Sequence, residues 1–186
     1  LTFFVYRKDK KNLRFDLGSI ALVQFLAFAY GVWTVSEGRP AWLVFSVDRF
    51  DLVQAYQLDQ RKRDEANPEY RSAPWFGPRW VSAHSPASAD KRQTILFEAM
   101  LAGVDVPHRP ELYQPLEAAA KGMREHAHPL DELARYNTQA DVNSVLARWP
   151  EANAYLPLMA RVRPMTVLID KASPRVVAIV DLNPWE

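Results

Sequence analysis

Residues 17–36 read LGSIALVQFLAFAYGVWTVS, twenty positions between Asp16 and Glu37 without a charge. Large aliphatic and aromatic side chains dominate, and Gln24 is the most polar group inside. At 1.5 Å rise per residue a helix of this length reaches about 30 Å, the thickness of a bilayer's hydrocarbon core. The stretch therefore reads as a transmembrane helix over 15–36. A buried core helix seldom runs this long without a charge. A cleaved secretory signal would need small residues at a cleavage site, and none follows Val35.

The flanks orient the span. Residues 7–14, RKDKKNLR, place Arg7, Lys8, Lys10, Lys11 and Arg14 against one Asp9, whereas the exit SEGRP carries only Glu37 and Arg39. Cytoplasmic loops concentrate Lys and Arg, so residues 7–14 are expected inside and everything beyond about residue 37 on the far side. Tyr30 and Trp33 suit an interfacial aromatic belt. The opening LTFFVY has the character of the end of an earlier helix, and the expectation is a chain whose upstream spans are missing. Residues 1–14 then form the end of that span and a basic loop, and 37–186 form an exported domain.

The exported part has its own pattern. AWLVFSV (41–47) and FDLVQAY (50–56) read as two strands joined near Asp48-Arg49. RKRDEANPEYRSAPWFGP (61–78) holds charges, three prolines and no period, so it reads as a long surface loop, and Arg79–Ser85 as a further short strand. From Ser88 a helical stripe runs through Ile95, Leu96, Ala99 and Met100 to a stop at Gly103. A second helix is expected from Pro110 through Leu112, Leu116, Ala120 and Met123, broken by His126–Pro129. A short helix at Leu130–Ala134 follows, then one capped by Thr138 with Asp141. Strand character returns at Leu156–Val162, and MTVLID and RVVAIVD around Lys171–Pro174 read as a hairpin. Strands, then helices, then strands give an α+β domain, expected as one antiparallel sheet with its helices on one face.

Composition excludes much chemistry. The 186 residues hold 23 Lys+Arg and 22 Asp+Glu, a net charge of +1, so no global field favours nucleic acid as a partner. No cysteine is present, which removes disulfides, thiolate ligands and a cysteine nucleophile from these residues. Six glycines build no phosphate loop, and neither GxSxG nor HExxH occurs. His126 and His128 lie near Asp131 and Glu132, but an i, i+2 pair ahead of Pro129 is not the helical spacing of a zinc protease. No metal, cofactor, catalytic residue or small-molecule substrate is expected. Asp170 and Asp181 read as turn formers at strand ends. Arg61, Lys62 and Arg63 read as a solvated loop, with anionic lipid or an acidic partner as the other option. Trp75, Phe76 and Trp80 sit among prolines, where aromatics either plug a core edge or form an exposed binding patch. On the helix, Ala27 and Gly31 form a small-xxx-small pair with Gln24 one turn earlier, a set suited to close helix approach and an interhelical hydrogen bond. The same set also suits packing on the chain's own upstream helices.

Residues 10–55 resemble type IV pilin accessory proteins of the TfpX/TfpZ family. The resemblance rests on Arg14-Phe15-Asp16-Leu17, Ala21-Leu22-Val23-Gln24, Ala29-Tyr30-Gly31 with Thr34-Val35, Arg39-Pro40 and Val47-Asp48-Arg49-Phe50, in order. The ending VLIDKASPRVVAIVDLNPW (167–185) looks like that family's closing hairpin and terminal Pro-Trp, while the middle matches in general character only. The resemblance implies two spans ahead of this one. It also implies a bacterial inner-membrane protein encoded near a pilin, supporting pilin stability, pilus assembly or pilus dynamics without enzymatic activity. Its expected partners are the major type IV pilin and the lipid bilayer. A membrane-anchored periplasmic ligand-binding or sensor domain is the rival reading.

Overall fold

The computed structural model describes residues 13–86 and 88–185. The apolar start and the basic run up to Asn12 lie outside them. The chain divides into two units between Arg39 and Pro40.

The first unit contains helix α1, Leu13–Glu37. Its large side chains are exposed on every face, among them Phe25, Phe28, Tyr30 and Trp33. Ser19 Oγ donates to the Phe15 carbonyl and Thr34 Oγ1 to the Tyr30 carbonyl, both at 2.9 Å. The hydroxyls are thus satisfied within the helix, as an apolar surrounding requires. Among the described residues, the stretch Arg14–Glu37 is the one helix long and apolar enough to cross a membrane.

The second unit is α+β. Its strands are β1 Pro40–Ser46, β2 Arg49–Gln54, β3 Arg79–Ala83, β4 Tyr113–Gln114, β5 His128–Pro129, β6 Ala154–Met159, β7 Met165–Asp170 and β8 Arg175–Val180. They form one sheet in the order β4-β3-β1-β2-β6-β7-β8, with β5 also paired to β6. The sheet is mixed, where the sequence suggests an antiparallel one. β1 runs parallel to β3 and β2 parallel to β6. β3 is antiparallel to β2 but pairs on the far side of β1, which makes it parallel to β1, and the long connection 55–153 returns the chain to the end where β2 starts, which makes β6 parallel to β2.

Alternation along the strands gives the sheet two buried faces. On the inner face Leu43 and Phe45 of β1, Phe50 of β2, Leu156 and Leu158 of β6, and Val167 and Ile169 of β7 make one cluster. Phe50 sits edge-on to Phe45 at 5.3 Å and to Trp80 at 5.1 Å, and such pairs add about 0.5–1.5 kcal/mol each beyond area burial. Trp42, Val44, Val53 and Val81 face the opposite way and are covered by Ala55, Leu58, Tyr70 and Tyr113. Tyr155, Leu168 and Val180 also face outward and are covered by Leu133, Val142 and Leu182.

The helices serve both faces, a second departure from the expected arrangement. Helix α2, Ala89–Ala102, stops at Gly103, whose φ of 68° is the left-handed stop the glycine suggests. Helix α3 is confined to Ala120–His126 and sends Met123 to the inner cluster. The expected helix from Pro110 is broken because Pro115 disfavours helical backbone at Gln114, and Tyr113–Gln114 pairs with β3 instead. Leu130–Arg135 is a 3-10 turn. Helix α4, Gln139–Leu146, is capped by Thr138, which accepts from the Asp141 amide, and sends Val142 to the outer face. The β1–β2 turn falls at Val47-Asp48, with Val47 at φ 60°. The closing β7–β8 hairpin stands as expected, with one extra residue at Val177.

Candidate partner-binding site

The loop that follows β2 is anchored before it is exposed. Leu58, Ala66 and Tyr70 are buried, and Tyr70 lies edge-on to Trp42 at 5.7 Å and to Tyr113 at 6.0 Å. Arg71 donates to the carbonyls of Ala66 (2.9 Å) and Asp64 (3.1 Å), closing the loop on itself. With its base fixed, the tip is carried outward through Gly77, whose φ of 59° favours a residue without a Cβ. Trp75 is 74% and Phe76 94% exposed. Trp80, two residues into β3, belongs to the inner cluster instead. The three aromatics thus split, two on the surface and one at a core edge.

A cleft of about 280 Å³ beneath the tip is lined by Trp42, Trp75, Phe76 and Arg79. A neighbouring groove of about 840 Å³ shares Trp42, Glu69 and Arg79 with it and continues along Trp80 to β8. Gln24, Ala27 and Gly31 are exposed on α1 and fall on one face by their i, i+3 and i+4 spacing. A Cβ added at Gly31 would meet nothing within 4 Å.

A charge cluster that sequence reading missed holds the other side of the loop. Arg109 is 2% exposed, and its guanidinium bonds Glu98 and lies 3.8 Å from Asp59 and 3.7 Å from Glu111. Arg61 binds Asp59 at 2.7 Å and Glu98 at 2.9 Å, so it is a strut between loop and α2 while its side chain stays 53% exposed, and Lys62 and Arg63 are exposed beside it. The hydrogen bond from Arg61 holds Asp59 below the usual carboxylate range, and that from Arg109 does the same for Glu98. No sequence spacing could have announced the cluster, since its members are drawn from three separated segments, 59–61, Glu98 and 109–111. Asp51 of β2 is opposite in character, pushed up to about 6 by burial despite Arg49 at 3.5 Å.

The histidines do not converge. His128 stacks on Tyr155 at 5.3 Å and lies 3.4 Å from Glu132, and no metal-competent group of three His, Asp or Glu exists among the described residues. Asp170 forms the hairpin turn, accepting from Ser173 Oγ at 2.5 Å and the Ala172 amide at 3.1 Å. Asp181 pairs with Arg163 at 2.6 Å.

No family model and no solved structure matches the chain. Two fimbrial assembly proteins of Dichelobacter nodosus, of serogroups E1 and I, do match. Each is 26% identical over 195 residues, covering 100% of this chain and 75% of the relative. The chain is therefore similar, over its whole length, to fimbrial assembly proteins.

Proposed function

We propose that this chain is a non-enzymatic accessory factor of the bacterial inner membrane that supports type IV pilin stability, pilus assembly or pilus dynamics through contact with the major pilin. The observation that carries the reading is the end-to-end similarity to two fimbrial assembly proteins. Helix α1 is the membrane span, residues up to 14 lie in the cytoplasm, and the α+β domain lies in the periplasm. The basic flank before the span supports this orientation. Pilin contact is divided between two surfaces. In the bilayer the Gln24, Ala27 and Gly31 face offers close approach and one amide hydrogen bond. Outside it, the exposed Trp75 and Phe76 offer the aromatic anchors that dominate protein contacts, with Trp80 in the wall of the adjoining groove.

Deleting the gene and measuring surface pili by electron microscopy and pilin by immunoblot tests the role. Fewer pili or less pilin, restored by the full-length protein, is the expected result. Unchanged pili and pilin would overturn it. A second reading, a membrane-anchored periplasmic ligand-binding or sensor domain, is favoured by a cleft of about 520 Å³ lined by Lys62, His84, Lys91, Arg109 and Glu111.

A further inference from the structure

Strand register defines one end of the sheet across the domain. β1 starts at Pro40, and β2, running against it, finishes there, with Gln54 opposite Pro40. β3 is parallel to β1 and starts at the same end, with Arg79 beside Trp42. β6 is parallel to β2 and finishes there, and β7 turns back from it. Just beyond the last residues of β2 and β6, Arg161 Nη1 donates to the Tyr56 hydroxyl at 3.0 Å. This end therefore holds Trp75 and Phe76, which lead into β3, and the 160–164 loop between β6 and β7.

The two ends differ in surface chemistry. At the far end the β1–β2 and β7–β8 turns expose Asp48, Lys171 and Ser173 along with Val47. At the near end Val162 is 94% exposed, as Phe76 is, and Tyr56 is half exposed. Arg161 and Arg163 flank Val162. Arg163 pairs with Asp181 at 2.6 Å, whereas the Tyr56 hydroxyl that Arg161 meets carries no charge. Apolar and aromatic tips set between arginines suit the interfacial layer of a bilayer. The tips enter the acyl boundary while the guanidinium groups meet lipid phosphates.

Connectivity brings this end to a bilayer. Glu37 stands about 6 Å of helix rise beyond Trp33, and a headgroup layer is about 5–8 Å thick. Gly38 and Arg39 alone separate Glu37 from Pro40, and their amides donate to the Val35 and Ser36 carbonyls. At 3.8 Å per residue, Pro40 stays within about 11 Å of Glu37. With α1 spanning the membrane, β1 begins at the outer edge of the headgroup layer, and the connection is too short to lift that end far from it.

We propose that this end of the domain is seated in the headgroup layer of the membrane that α1 crosses, with Trp75, Phe76 and Val162 as its apolar tips and Arg161 as its phosphate contact. The inference rests on the reading of α1 as the span and adds a second, peripheral contact with the same bilayer. Pilin contact through Trp75 then takes place at the membrane surface. Helix α2 exposes another apolar surface, Leu96, Phe97, Met100 and Leu101, but the chain enters it from the far end of the sheet, and no short tether holds it to lipid.

The chain has no cysteine, so single spin labels are placed without background. The full chain, labelled at Val162→Cys, Phe76→Cys, Val47→Cys or Leu101→Cys, is reconstituted in a lipid nanodisc without pilin. Electron paramagnetic resonance reads collisions with oxygen, which concentrates in lipid, against those with a water-soluble nickel chelate. The oxygen-to-nickel ratio is expected to be several-fold higher at Val162→Cys and Phe76→Cys than at Val47→Cys. Equal ratios at the two ends would overturn the seating. So would a high ratio at Leu101→Cys with low ones at Val162→Cys and Phe76→Cys, which would lay α2 on the bilayer instead. A label at Phe25→Cys, inside α1, separates the two readings. A water-like ratio there overturns the span and the seating with it, whereas a lipid-like ratio there with both tips in water refutes the seating alone.

Discussion

Replacing Arg109 by methionine takes away a cation that three carboxylates share. Arg61 remains beside Asp59 and Glu98, but Glu111, with a side chain 9% exposed, faces the loss of the guanidinium 3.7 Å away. Breaking a buried ion pair from one side costs about 3–5 kcal/mol. With Arg61 still in place and Glu98 29% exposed, the lower end, about 3 kcal/mol, is expected. For a domain of this size that is a drop of about 10 °C in Tm. Asp59 and Glu98 have folded pKa values held below their unfolded ones, so their contribution is present above the unfolded value and lost as pH falls through the folded one. The gap between wild type and Arg109→Met should therefore be widest at neutral pH and shrink below about pH 4. Thermal unfolding of the full chain in micelles, followed by near-UV circular dichroism at several pH values, reads both effects. A variant as stable as wild type at pH 7, or a gap that widens with acid, would show that Arg109 does not hold these carboxylates.

Asp51 titrates in the other sense. Its folded pKa of about 6 stands above 3.8, so its contribution to stability is present below pH 4 and is lost as pH rises through 6. Asp51→Asn should match wild type near pH 4 and exceed it at pH 7.5 by up to about 3 kcal/mol, read from the same melts. Val47 holds φ 60° while 65% exposed, so Val47→Asn should raise stability by about 1 kcal/mol in a denaturant titration. Phe76→Ser, at a side chain 94% exposed, should leave stability within about 0.5 kcal/mol of wild type in a denaturant titration yet reduce cross-linking of the loop to pilin.

What the sequence showed depends on the range over which each residue's environment is set. Helix α1, the β1–β2 and β7–β8 pairs, the Gly103 stop and the Thr138 cap all follow from patterns within one continuous stretch of about twenty residues or fewer, and the structure contains them. The parallel pairings of β1 with β3 and β2 with β6 depend on where long connections land, which no local period encodes. Helix α3 came out shorter than its apolar stripe suggested because pairing of Tyr113 with Ala83 competes with it. Of the candidate site, the aromatic loop was legible as composition, but only burial separates Phe76 in solvent from Trp80 against Phe50. The Arg109 cluster joins residues up to 52 positions apart, from Asp59 to Glu111, and had no signature at all.

Direct contact with pilin is the step on which the proposed role depends. A photoreactive residue placed at Gln24 and, separately, at Trp75 of the full-length protein in native membranes, followed by blotting for the major pilin, tests it most directly. A pilin adduct at one or both positions is expected, which also tells whether helix α1 or the exposed loop makes the contact. Abundant protein and pilin with no adduct at either would contradict it.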